Sequence, residues 1–142
     1  MYTNIKHISA DAYKVFSYLA DAARESENLT TNIDNSDVYI PVTVEIILST
    51  SEFEHVSICQ YGELNGDLMA DPEMIFFHDK KEKLAYPGYF LNHYAGIEQT
   101  SLEYDEYGKP EGIKKVMQEI HSNFANMWMK NINEQQALSL IG

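Results

Sequence analysis

A chain of 142 residues with 10 Lys+Arg against 22 Asp+Glu carries a formal net charge of −12, and Arg24 is its one arginine. Nucleic-acid backbones and anionic membranes are bound through Lys and Arg, so direct nucleic-acid binding and membrane-surface docking are excluded as expectations and a basic protein partner is favoured. The length fits one domain spanning 1–142. The single cysteine, Cys59, rules out an intramolecular disulfide and leaves any zinc site to histidines and carboxylates.

Met1 to Ile8 shows no basic stretch followed by an apolar run, so no secretory signal is read there and a cytoplasmic location is expected. Ser9 suits an N-cap, with Asp11 in the following turn; Ala12, Val15, Phe16, Leu19 and Ala23 recur at helical spacing. A helix over Ala10 to Glu25 is predicted. Asn28 to Asp37, rich in Asn, Asp, Ser and Thr, reads as a loop. From Val38 to Leu48 apolar residues fall on alternate positions, a strand pattern in which Pro41 marks an edge or a strand start. Phe53 to Tyr61 and Glu73 to His78 read as further strands, with turns at Asn65-Gly66 and Lys80 to Lys83. Leu84 to His93 reads as a short strand and loop around Pro87-Gly88, and Tyr94 to Tyr104 as a weaker strand. Asp105 to Pro110 is a turn, and Pro110 can open a helix over Glu111 to Asn131. Its apolar stripe would be Ile113, Val116, Met117, Ile120, Phe124, Met127, Trp128 and Ile132, with Met129 off the stripe. The tail Ala137 to Ile141 extends that helix or docks separately. Short connections between consecutive strands favour antiparallel pairing. The expected fold is therefore α+β: an antiparallel β-meander of about four to five strands, with an N-terminal helix and a long C-terminal helix packed on one face.

The stretch Tyr61 to Met74 sets Gly, Asn and four carboxylates between apolar strands. Turn chemistry accounts for every residue type present, since Asn and Gly tolerate positive φ and an aspartate hydrogen-bonds its neighbouring backbone. The alternative is a hard-cation site built from Asp67, Asp71 and Glu73. Asn65-Gly66-Asp67-Leu68-Met69-x-Asp71-Pro72-Glu73-Met74 resembles the central motif of an uncharacterised family found in phage, plasmid and conjugative-element proteins, domain of unknown function 6908. Tyr39 to Glu45, Tyr94 to Ile97 and Phe124 to Trp128 extend the likeness, which covers Asp34 to Asn133. Where the family often has a His-Tyr pair, this chain has Gln60-Tyr61. The resemblance implies a mobile-element setting and no mechanism.

No pair of the five histidines has helical metal spacing, although His55 and His78 could meet across a hairpin. Cys59 in an apolar strand reads as a small core residue. The aromatic run Tyr86, Tyr89, Phe90, Tyr94 is a candidate contact surface. These features favour a non-catalytic accessory protein that needs no cofactor and binds a basic host protein. The binding residues would be drawn from Asp67, Asp71, Glu73, Tyr86, Tyr89 and Tyr94. In its extreme form the acidic surface mimics nucleic acid and blocks a defence protein. A small metal-dependent hydrolase using Asp67, Asp71 and Glu73, and an oligomerisation module that forms a homodimer through the C-terminal helix and tail, are the alternatives.

Overall fold

The computed structural model describes residues 2–142; Met1 lies outside the described residues. After an N-terminal segment, the first element is helix α1, Ala10–Arg24. The Ser9 side chain caps it by accepting the Ala12 N–H at 3.1 Å. Six strands follow as β1 (Thr30–Ile33), β2 (Val42–Ser49), β3 (Phe53–Leu64), β4 (Asp67–Asp79), β5 (Leu84–Asn92) and β6 (Ile97–Thr100). They form one antiparallel sheet in chain order. β7 (Leu102–Tyr104) leaves the sheet and pairs with β8 (Pro110–Ile113), and helix α2, Lys115–Gln135, closes the fold.

Both helices cover the same face of the sheet. Val15, Phe16 and Leu19 of α1 and Ala125, Met129 and Ile132 of α2 share a core with Val44, Val56, Ile58, Met74 and Phe76. The α+β meander with two helices on one side is thus the observed fold, with six strands rather than four or five. The opposite, outer face has a smaller core of Phe53, Phe77, Tyr86 and Leu102, packed with Tyr2, Ile5, Tyr104 and Ile113. The β7–β8 hairpin and the N-terminal segment therefore cover one end of the outer face. Close approach at Gly88 makes room for this hairpin: a Cβ there would lie 2.7 Å from Leu102 Cβ.

Several predicted boundaries move, each for a local reason. Val38 to Ile40 is not strand. The Ser36 hydroxyl accepts the N–H groups of Val38 and Tyr39 at 3.1 and 3.0 Å, and Pro41 has no N–H, so the ladder starts at Val42. Inside the expected 28–37 loop, Thr30–Ile33 pairs with the free edge of β2. Tyr94 to Tyr104 is broken by a turn at 93–96, where Gly96 has φ +65°, and by a departure from the sheet at Ser101. Pro110 opens β8 and not a helix. Asn65 and Gly66 both take positive φ, the turn the Asn-Gly pair predicts.

The buried side of α2 differs most from its apolar stripe. Gln118, His121, Ser122, Ala125, Trp128, Met129, Ile132 and Asn133 are buried, while Val116, Ile120 and Met127 are exposed. Met129, expected off the stripe, is fully buried. The polar residues turn inward because the segment before α1 has backbone groups to satisfy. Gln118 Oε1 accepts the Lys6 N–H at 2.7 Å, its Nε2 donates to the carbonyls of Lys6 and Pro87, and Ser122 donates to that of His7. The tail docks separately: Leu138, Leu140 and Ile141 pack on the first core.

Candidate functional site

Strand register decides which side chains share a face. Val42 and Val44 point to the helices, and so do their partners Gln60 and Ile58. Gln60 accepts the Trp128 indole N–H at 2.9 Å there. The residues between them face outward. Across β2 to β6 the outward row runs Glu45, Ser57, Ile75, Tyr89, Thr100, and the next runs Thr43, Cys59, Glu73, Leu91, Glu98. Neither row contains a Lys or Arg; none occurs between Glu25 and Asp79 or between Leu84 and Gly108. The uncovered part of the outer face is therefore purely acidic, with Ile47, Tyr61 and Tyr89 set among the carboxylates.

This face is ordered by its own hydrogen bonds. Ser57 donates to Glu73 at 2.7 Å, and Tyr89 donates to Glu98 at 2.5 Å. Burial, with the adjoining Glu98 and Glu73 carboxylates, raises the Tyr89 pKa. Burial and the neighbouring Cys59 thiol, with Glu73 and Glu45, push Tyr61 up to about 12. Both phenols stay protonated and can donate. Burial likewise pushes the Cys59 thiol up to about 12, against a nucleophilic role.

The sequence-predicted residues part company here. Glu73 and Tyr89 lie on the acidic face. Asp71 lies at its margin, in an irregularity where Asp71 and Pro72 of β4 fall opposite Gln60 of β3 and the Asp71-Pro72 peptide is cis. Its carboxylate accepts from Asn92 at 3.2 Å. Asp67 is exposed at the hairpin tip. Strand rise places it on the order of 15–20 Å from Glu73, too far to share a cation. Among the described residues no group of three metal-ligating side chains converges. Tyr86 is completely buried in the smaller core, beneath Tyr2, and offers no contact surface. Tyr94 lies against Gly62, where a Cβ would stand 2.5 Å from its hydroxyl. Alternation from Gln60 puts Gly62 on the helix side, so Tyr94 does not join Tyr89. His55 and His78 do not meet. His78 is paired with Glu54 and His55 with Phe77, so the two rings point to opposite faces.

A second constellation escaped the sequence reading. Glu54 of β3 points under α1 and is completely buried. The Arg24 guanidinium binds both its oxygens, Nε at 3.1 Å and Nη2 more closely, and Lys80 Nζ stands 3.6 Å away. Burial alone would raise the Glu54 pKa, but hydrogen bonds from His78 and Arg24 outweigh it and bring it down to about 2. An ionised carboxylate only accepts, so His78 Nδ1–H donates to Glu54 at 2.9 Å. In the neutral ring, Nε2 then accepts the Tyr13 hydroxyl at 2.7 Å. The one signal in the sequence was the single arginine in a chain otherwise served by lysine, a residue type suited to forked carboxylate pairing.

Among the described residues no helix is long and apolar enough to cross a membrane. Comparison with curated proteins and with solved structures finds no match. A family model does match, over residues 13–138. That span is wider than the 34–133 covered by the motif likeness, and it takes in α1 from Tyr13 onward, Arg24 and the Glu54 network as well as the acidic face. The chain belongs to the family described as a domain of unknown function, DUF6908.

Proposed function

We propose that the chain is a non-catalytic binding protein that engages a basic surface on another protein through the outer face of its sheet. The observation that supports this reading is the face itself, where Glu45, Glu73 and Glu98 stand among Tyr61, Tyr89 and Ile75 with no cation between them. Glu73 and Glu98 are two strands apart, about 10 Å, and Glu45 is about 12 Å from Glu73. A regular array of carboxylates attracts Lys- and Arg-rich surfaces and speeds encounter with them. The half-exposed tyrosines add contact area at small entropic cost. In the mobile-element setting that the central motif implies, such a partner is a host protein that handles nucleic acid, held off by a surface carrying charge where its substrate carries phosphate.

The test is affinity capture from host extract with the native chain and with the triple variant Glu45→Gln, Glu73→Gln, Glu98→Gln. The native chain is expected to retain a basic protein at about 0.05 M salt and release it as the Debye length shrinks toward 0.5 M. The variant, if its thermal melt matches the parent, is expected to lose that protein. Equal retention of the same protein by both chains would overturn the reading.

A further inference from the structure

A cleft of about 730 Å³ opens between α1 and the β4–β5 turn, lined by Tyr13, Lys14, Ser17, Arg24, Lys80 and Lys83, with His78 and Leu140 in its walls. Four of the ten Lys and Arg residues of a chain with net charge −12 border this one space. Against them stand Asp21 in the lining, Glu54 buried behind it and Asp11 beside Lys14. The local sign is opposite to that of the whole molecule, which would otherwise repel an anion from any approach.

The cations divide into two kinds. Arg24 and Lys80 are held in place: the first by Glu54, the second by donating to the Thr50 carbonyl at 2.6 Å and Ser49 at 3.0 Å. Lys14 and Lys83 are not. Lys14 reaches only Asp11, at 3.9 Å with both side chains largely exposed, and Lys83 makes no ion pair among the described residues. Lys14 and Lys83 at the rim, the anchored Lys80 inside and the Ser17 hydroxyl on the α1 wall border one space, while the Tyr13 hydroxyl is given to His78 and adds only its ring. Ammonium groups act as compact point charges that suit a tetrahedral dianion, whereas the one fork suited to a planar carboxylate is already occupied by Glu54. The volume lies in the range of small-molecule sites, and Leu140 with the Tyr13 ring provides apolar wall for an organic portion.

We propose that this cleft binds a small molecule carrying a phosphate group. The site is separate from the acidic sheet face, so either can stand without the other.

Inorganic phosphate is the probe, with acetate as the carboxylate control, titrated into the full chain while amide resonances are followed by NMR. Phosphate is expected to give saturable shifts confined to α1 and residues 78–84, with millimolar affinity for the bare anion. Lys14→Gln with Lys83→Gln, both at exposed positions that leave the fold intact, is expected to weaken binding roughly tenfold. The Glu45→Gln, Glu73→Gln, Glu98→Gln variant is expected to bind phosphate as the parent does. Absence of saturable shifts at these residues, unchanged affinity in the double lysine variant, or acetate binding as tightly as phosphate would each overturn the proposal.

Discussion

Glu54 is the only completely buried carboxylate among the described residues, and its surroundings make it a pH-dependent stabiliser. Its folded pKa of about 2 is depressed from the ordinary 4.5, so its contribution is fully present above about pH 4.5 and is lost as pH falls toward 2. His121 acts earlier. Burial lowers its pKa below the ordinary 6.5, and the neutral ring accepts from Ser101 at 2.7 Å and donates to Gln99 at 3.0 Å. The unfolded chain takes up a proton there that the folded chain refuses, so stability begins to fall below about pH 6.5. Denaturant unfolding between pH 7 and pH 3 is expected to show both losses. Glu54→Gln is expected to lower stability at pH 7 and to flatten the decline below pH 4.5. A stability independent of pH across that range would contradict the assignment of both groups. Neither role was legible in the sequence. Glu54 and His78 are 24 residues apart, and only the β3–β4 register together with α1 places them in one network.

At the level of elements, periodicity found α1 and the strands around the Asn65-Gly66 turn, because their patterns are set by burial on one face and by a turn that only certain residues make. It failed at α2, where the inward face includes Gln118, His121 and Ser122. Hydrophobicity alone does not register that a neighbouring segment without a ladder of its own needs side-chain partners for its backbone. The β7–β8 hairpin was missed for a related reason: three or four residues carry too little pattern, and its position depends on the space above Gly88. Gly88→Ala would bring a Cβ to 2.7 Å from Leu102 Cβ and 2.8 Å from the Tyr104 hydroxyl. A loss of about 1–3 kcal/mol is expected in chemical denaturation, as for overpacking a filled core. An unchanged midpoint would show that the hairpin shifts freely over the sheet.

Across the whole molecule, charge is sorted. Carboxylates hold the outer sheet face and the β3–β4 tip, while the cations collect at the β4–β5 turn, on either side of β8 and along the helices. With a net charge of −12, self-repulsion opposes the compact state, and added salt screens it. The thermal midpoint is therefore expected to rise as sodium chloride goes from about 0.01 to 0.15 M, where the Debye length falls from about 30 to 8 Å. A falling midpoint would mean that the Arg24 and Lys80 pairs with Glu54 outweigh the repulsion.

The sequence by itself determined the α+β class, the antiparallel order, the capped first helix and the acidic character, because each depends on residues close together in the chain or on composition alone. The tertiary structure alone decided that Glu73 and Tyr89 share a face while Tyr86 is buried, that His55 and His78 point apart, and that Arg24, Glu54, His78 and Tyr13 join. Side-chain direction alternates residue by residue along a strand, so which groups meet depends on register and on the packing of distant elements.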